Sequence, residues 1–380
     1  MASSRIDVAA QRARALGGLP TLRPADGVRR TVRVAIGDPQ APLERVLASL
    51  DHHGLLGDDG RLRPEVFLVS MGDHFDFGPA AQRRTAAADG LAFLSFLADH
   101  PADQTVIILG NHDLVRVGEL HGFDEATFAR AQAQADLAYR GGEVDPALEA
   151  RFLADWPMVS DAEALARDFS AFAPAQRALV EQLLRAGRAQ LAFAASERVV
   201  LTHAGLTVHD FTQLGLPAPT TAPEIERALA GFLDGRVSAW RSGPLDLAPL
   251  HLAGTAASGV GRGILFQRPA HPSTGEPELF EGPPRRRFDP RWLLPGVTQA
   301  IGHIRDAKCR TLLGPWVQGA PAGDGPLRSL TSTGTDVTYR AGVVPGASLV
   351  FLDGGMSHSL PERYQLLDLD RLAPAEPLPR

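Results

Sequence analysis

The sequence predicts an α/β protein built on strands buried on both faces, and three observations carry that prediction. Six short runs rich in Val, Ile, Leu and Phe recur along the chain, each stopping at a turn signal. They do not alternate apolar with polar residues, as strands with one wet face would. Each run also delivers a polar side chain at its carboxyl end, while intervening segments such as 80–100 carry helical spacing.

The runs are TVRVAIGDPQ, EVFLVSMGD, TVIILGNHD, ERVVLTHAG, VTQAIGHI and ASLVFLDGG, and the side chains they deliver are Asp38, Asp73, Asn111, His203, His303 and Asp353. In α/β sheets that edge is where ligands bind. Any one of these residues reads equally well as a helix cap, an Asx turn or a satisfied core histidine. Six together are hard to explain as caps.

Two segments interrupt the pattern. Residues 114–195 are rich in Ala, Leu, Arg and Gln, and fragments such as FARAQAQADLAYR and APAQRALVEQLLRAGRAQLAFAA read as amphipathic helices, so a helical insert is expected there. Residues 267–295 are too rich in Pro and charge for a strand or helix interior and read as a loop, with Arg285, Arg286 and Arg287 on a solvated turn rather than at an anion site. Neither insert has the marks of a separate folding unit, so one domain spanning 1–380 is expected.

Composition narrows the function. With 380 residues, 44% hydrophobic and 22% charged, the chain can bury a sizeable core. A formal charge of −6 argues against binding nucleic acid by phosphate neutralisation. Lys308 is the sole lysine, which disfavours Schiff-base chemistry and leaves guanidinium groups to hold oxyanions. Cys309 is the sole cysteine, which excludes an internal disulfide or a cysteine-built metal site and suggests a structural thiol. The N-terminal segment lacks a signal-peptide core and no later segment approaches a membrane span, so a cytoplasmic protein without a membrane partner is expected.

Two aspartates three apart in GDHFDFG raise a sharper question. Two divalent ions about 3.5–4 Å apart can clamp the attacking and leaving oxygens of a phosphate displacement, and such a pair needs a bridging carboxylate with mixed oxygen and imidazole ligands on rigid strands. The strand ends supply that inventory. GDPQ, GDHFDFG, GNHD, THAG and GHI, in this order between Val34 and Gly355, resemble the motifs of calcineurin-like dinuclear metallophosphoesterases, most closely the phosphoprotein-phosphatase branch that includes diadenosine-tetraphosphate hydrolases.

The resemblance implies a four-layer α/β/β/α sandwich. It also implies that Asp38 and Gln40 serve one metal, that Asp73 bridges the pair, and that Asn111, His203 and His303 hold the second. His112 resembles the catalytic histidine of the family and Asp76 its carboxylate partner. The implied reaction is hydrolysis of phosphate monoesters, phosphoproteins included, by attack of a metal-bridging hydroxide. A nucleotide or diadenosine-polyphosphate hydrolase is the alternative, and a non-catalytic metal- or phosphate-binding module is the rival from another class. The ligand chemistry suits manganese, iron or zinc better than calcium.

Two departures stand out. Gln40 occupies a position where the family usually has histidine, and Phe77 one where protein phosphatases of this branch usually have an arginine that grips phosphate. Arg116, Arg262 and Arg268 are the candidates to replace that arginine. His74 alternates away from the ligand positions and reads as a packed or surface histidine. Asp353 and His358 are weaker candidates near the site, and His52 and His53 read as the end of a helix.

Overall fold

The computed structural model describes residues 4–280 and 285–379. The six apolar runs form six strands: β1 (Val32–Ile36), β2 (Val66–Ser70), β3 (Thr105–Ile108), β4 (Val199–Thr202), β5 (Thr298–Ile301) and β6 (Leu349–Phe351). They divide between two six-stranded sheets. In the first, β1, β2 and β3 run parallel, with Ala189–Gln190 added beyond β3 and the antiparallel strands Leu367–Asp368 and Ala373–Pro374 beyond β1. In the second, β4, β5 and β6 run parallel, flanked by Ala192–Ala194 on one side and by the hairpin Arg328–Ser332 and Val337–Ala341 on the other.

Successive side chains of a strand point to opposite faces, and here both faces are dry. Ala35, Val69, Val106 and Ile108 of the first sheet meet Val199, Leu201, Ala300 and Val350 of the second in one core between the sheets. Their neighbours Val34, Ile36, Leu68 and Ile107 face outward into a larger core under the helices Leu43–His52, Arg83–Ala98 and Pro174–Arg185. Ile301, Leu349 and Phe351 of the second sheet pack outward on Cys309, Leu312 and Leu313 of the helix Asp306–Leu313. The result is helix, sheet, sheet, helix. It also explains the unbroken apolar runs, because burying each Leu, Ile or Val contributes about 1.5–3 kcal/mol whichever face it leaves by. The helices follow the same logic: Leu43–His52 buries Leu43, Val46, Leu47 and Leu50 at helical spacing, and its end carries His52 and His53.

The segment 114–195 plays two parts. The helices Glu125–Ala138 and Pro146–Asp155, each capped at its start by an aspartate, build a cluster of their own around Phe128, Ala131, Ala135, Phe152, Leu165 and Phe172. From Pro174 onward the chain rejoins the main fold, as an outer-layer helix and then as edge strands of both sheets. The segment 267–295 is a string of single turns around a two-residue parallel ladder that pairs Arg268–Pro269 with Arg287–Phe288; residues 281–284 lie outside the described residues.

Arg285 does not lie on a solvated turn. It is 6% exposed, its guanidinium donates to Asp210 Oδ1 at 2.9 Å, and it faces the Trp292 ring, because the carboxylate of Asp210 is buried and requires a counter-charge. Cys309 is buried, and that burial pushes its thiol up to about 12. Among the described residues no helix is long and apolar enough to cross a membrane.

His100, just past the helix Arg83–Ala98, is 1% exposed and held as a neutral ring: its Nδ1–H donates to the Phe96 carbonyl at 2.7 Å and its Nε2 accepts the Leu62 N–H at 3.1 Å. Burial pushes it from 6.5 down to about 4. Protonation must break the Leu62 bond, so the contribution is complete above the unfolded value and is lost as pH falls through the window between these values, amounting to about 3 kcal/mol. Denaturant unfolding at pH 7 and pH 4.5 checks this: His100→Gln should show a weaker pH dependence than wild type, and equal dependence would contradict it.

Candidate active site

All six strand ends open on one rim, three from each sheet. Asp38 follows β1, Asp73 and Asp76 follow β2, Asn111 and His112 follow β3, His203 follows β4, His303 follows β5 and Asp353 follows β6. The sheets are joined there by Asp38 Oδ2, which accepts the His303 N–H at 2.8 Å. Close approach of the strand ends depends on glycine: a Cβ on Gly110 would sit 2.1 Å from Asp73 Oδ1, and one on Gly302 would sit 2.0 Å from Asp38 Oδ1. The described non-glycine residues with positive φ are Asp73, Asp76, His303 and Leu372, so backbone strain is concentrated in this rim.

One carboxylate holds much of the rim together. Asp113, fully buried, accepts the backbone N–H groups of Asp73, His74 and Gly110 and contacts His74 Nδ1 at 3.1 Å. His74 Nε2 in turn lies 2.8 Å from Ser70 Oγ. His74 is therefore a packed histidine that ties β2 to the GNHD turn.

The imidazoles are oriented by carbonyls. His203 Nδ1 donates to the Met71 carbonyl at 2.9 Å, which aims Nε2 at two oxygens, Asn111 Oδ1 at 3.2 Å and Asp73 Oδ2 at 3.4 Å; burial opposes the charged ring, but Asp73 outweighs it and holds His203 above its ordinary value. His303 Nε2 donates to the Phe266 carbonyl at 3.1 Å, leaving Nδ1 as its lone-pair nitrogen. One ligand atom from each of Asp73, His203 and His303 lies within 4.8 Å of the others. Gln40 Nε2 donates to the Phe75 carbonyl at 2.8 Å, so its amide oxygen is the end suited to coordination.

These groups fit divalent cations. Asp38 Oδ1 is buried with no hydrogen-bond partner, an acceptor left for a cation. Burial, with Asp353 and Asp73 as like-charged neighbours, pushes the Asp38 carboxyl well above its ordinary range, and a cation between them reverses that pressure. Carbonyl-bound imidazoles with carboxylate and amide oxygens are a donor set for metal.

A second group lies beside the first. His112 Nδ1 is 3.0 Å from Asp76 Oδ2, and the His112 ring packs edge-on against Phe169. Burial opposes the charged imidazole, but Asp73 and Asp76 outweigh it and hold His112 above its ordinary value. Burial likewise opposes ionised Asp76, and Arg116 with His112 outweighs it and holds the carboxyl low.

Arg116 is not free to grip phosphate. It is 0% exposed; it donates to Asp76 Oδ2 at 2.7 Å, to the His112 carbonyl at 2.8 Å and to Gln176 Oε1 at 3.2 Å, and it lies over the Phe75 ring. Its donors are consumed in anchoring Asp76. Arg262 also falls away from the site, donating to the Ser258 carbonyl at 2.7 Å in an exposed turn. Phe77 packs with Ala86, Ala87 and Ala171, so no side chain at that position reaches as an arginine would.

Arg268 does line the site. Asp38, Gln40, Asp73, Asn111, His112, His303 and Asp353 line a cleft of about 500 Å³, while His203 is fully buried. Asp161, Glu163, Arg167, Asp168 and Phe169 of the helical segment also line it, together with Arg268, Arg286, Arg305 and Lys308. His358 lies at an adjoining pocket instead. Sequence reasoning missed Asp113, although it is the last letter of GNHD, and missed the place of Arg286 and Lys308 at the cleft.

The calcineurin-like phosphoesterase family matches residues 33–243. Solved structures similar to the chain include the cold-active protein-tyrosine phosphatase of a psychrophilic Shewanella species, at 14% identity, covering 96% of this chain and 79% of that one with a TM-score of 0.38. Another structure of a cold-active protein tyrosine phosphatase matches at 11% identity over 91% of this chain and 76% of that one, with a TM-score of 0.38. No curated protein matches the sequence. The family match spans more than half of the chain, and the chain belongs to the calcineurin-like phosphoesterases, metal-dependent hydrolases of phosphate esters.

Proposed function

We propose that this protein hydrolyses phosphate monoesters with two divalent ions, one held by Asp38, Gln40 and Asp73 and the other by Asp73, Asn111, His203 and His303. The observation that carries the reading is the convergence of one ligand atom from each of Asp73, His203 and His303 within 4.8 Å of one another, together with the buried, partnerless Oδ1 of Asp38. A buried carboxylate oxygen without a donor is unfavourable unless a cation satisfies it. Manganese, iron and zinc suit this donor set best.

Ions bound there supply Lewis acidity for the phosphoryl oxygens and make hydroxide available near neutral pH. The chain's own groups do the rest. Arg268, whose buried Nε has no protein partner, presents its guanidinium at the cleft to take phosphoryl oxygens. Asp76 holds the His112 Nδ1–H, so Nε2 is the nitrogen that delivers a proton to the departing oxygen. Arg116 keeps Asp76 ionised and immobile, and Phe169 limits rotation of the His112 ring. A covalent intermediate is not required.

Three measurements test this reading. Metal analysis after manganese or iron loading should find two ions per wild-type chain and fewer in Asp73→Asn, with p-nitrophenyl phosphate hydrolysis abolished by chelation; fewer than two ions together with no hydrolysis by wild type would favour a non-catalytic binding module. His112→Ala should keep both ions and lose about 10²–10⁴ in kcat, and undiminished turnover would remove His112 from the mechanism. Arg268→Ala should raise KM for p-nitrophenyl phosphate about tenfold while Arg262→Ala leaves it unchanged; the reverse pattern would reassign the phosphate-binding arginine.

A further inference from the structure

Three buried charged residues follow one another at a spacing of three from the GNHD turn: Asp113, Arg116 and Glu119. The first ties β2 to that turn and the second anchors Asp76. Glu119 does neither. It is 8% exposed, its Oε2 accepts the His251 Nε2–H at 2.9 Å and its Oε1 accepts the Gly254 N–H at 3.2 Å. Burial opposes the ionised carboxyl, but His251 and the Gly254 N–H outweigh it and hold Glu119 low. Removing a carboxylate and an imidazole from water together is costly, and this pair lies outside the cation-binding rim.

His251 and Gly254 belong to a finger, residues 247–266, folded back on itself by antiparallel bridges between Leu252 and Arg262 and between Thr255 and Gly259. At its root the Leu265 N–H donates to the Leu250 carbonyl at 3.0 Å, and near its tip the Ala256 N–H donates to the Pro157 carbonyl of the helical segment at 3.1 Å. The finger reaches the cleft with Val260, Gly261 and Phe266. Phe266 also acts on the rim, because its carbonyl accepts the His303 Nε2–H at 3.1 Å and so leaves the lone pair of that ring on Nδ1. The Phe266 ring lies 5.0 Å from the His251 ring. Gly261 fits between the two partners: a Cβ there would sit 3.2 Å from Glu119 Oε1 and 3.1 Å from the Phe266 ring. Acid, imidazole, glycine and phenyl ring thus pack as one unit, and the backbone of that unit holds His303.

Building on the metal-dependent reading, we infer that Glu119 and His251 are a positioning pair for the metal centre, fixing the finger and, through the Phe266 carbonyl, presenting His303 Nδ1 to its ion. Neither residue touches metal or substrate. A pair that acts through His303 is felt at the ion this histidine holds, and much less at the ion held by Asp38 and Gln40. A pair that only supports the fold affects both ions alike.

The test is manganese calorimetry on wild type, Glu119→Gln, His251→Gln, His303→Ala and the double variant Glu119→Gln/His303→Ala. Each glutamine variant should weaken one of the two ions about tenfold and leave the other as in wild type. Against the His303→Ala background Glu119→Gln should cost no more, since its route to the metal is already cut. Unchanged binding in both glutamine variants, equal losses at the two ions, or full additivity with His303→Ala would overturn the inference. Imidazole ¹⁵N–¹H spectra of the metal-free protein add a readout that needs neither metal nor a stable variant: wild type should show a slowly exchanging His303 Nε2–H, assigned by its loss in His303→Ala, and the glutamine variants should lose that protection. Its absence from wild type, or its persistence in the variants, also overturns the inference. Two ions and full hydrolysis in both glutamine variants defeat the positioning pair alone, whereas a wild type that binds no manganese but shows the protected Nε2–H, lost in the variants, defeats the metal reading and leaves the positioning of His303 standing.

Discussion

Two sheets must meet with their carboxyl edges on the same side, and everything at the site depends on that constraint. The edges touch where the His303 N–H donates to Asp38 Oδ2, joining the end of β5 to the end of β1, and where His203 Nδ1 donates to the Met71 carbonyl, joining the end of β4 to the end of β2. The core between the sheets, built from small and branched residues such as Ala35, Val69, Ala300 and Val350, sets how closely they approach. Gly110 and Gly302 then let acid side chains from one strand lie against the backbone of the next. Strained φ values at Asp73, Asp76 and His303 are tolerated because bonds from several strands determine those positions together.

The arrangement separates two kinds of acid a few residues apart in sequence. Asp73 faces the imidazoles of His203 and His303, an environment suited to metal. Asp76 faces Arg116, His112 and the Ala171 N–H, an environment that supplies donors and fixes a negative charge. A buried guanidinium is expensive to desolvate unless its donors are used, and Arg116 uses them on Asp76, the His112 carbonyl and Gln176. The helical segment contributes at this point too, since Ala171 and Phe169 hold the acid and the histidine in place.

Much of this was legible in the chain. The runs ending in Asp38, Asp73, Asn111, His203, His303 and Asp353 announce strands buried on both faces, because only such strands can dispense with alternation. The fate of individual arginines was not legible. Arg116 follows GNHD as closely as any candidate, but the turns after Asn111 carry it beneath the site, where Asp76 needs a counter-charge. Arg285 sits in a run of three arginines that reads as solvated, yet Asp210, distant in sequence, draws it inward while its neighbour Arg286 faces the cleft. Such outcomes depend on which buried acid lacks a partner, and no local pattern records that. Asp113 was overlooked for a related reason: as a short acidic residue opening a helix it has a sufficient local explanation, and its bonds to Asp73 and His74 exist only once β2 and β3 are paired.

The central claim is that the acceptor atoms of this rim surround cations. Anomalous diffraction from crystals grown with manganese tests it most directly. Two peaks are predicted, both within coordination distance of Asp73, one also touching Asp38 and the other His203 and Asn111. A map with no anomalous density among these side chains, or with density only elsewhere on the protein, would contradict the account.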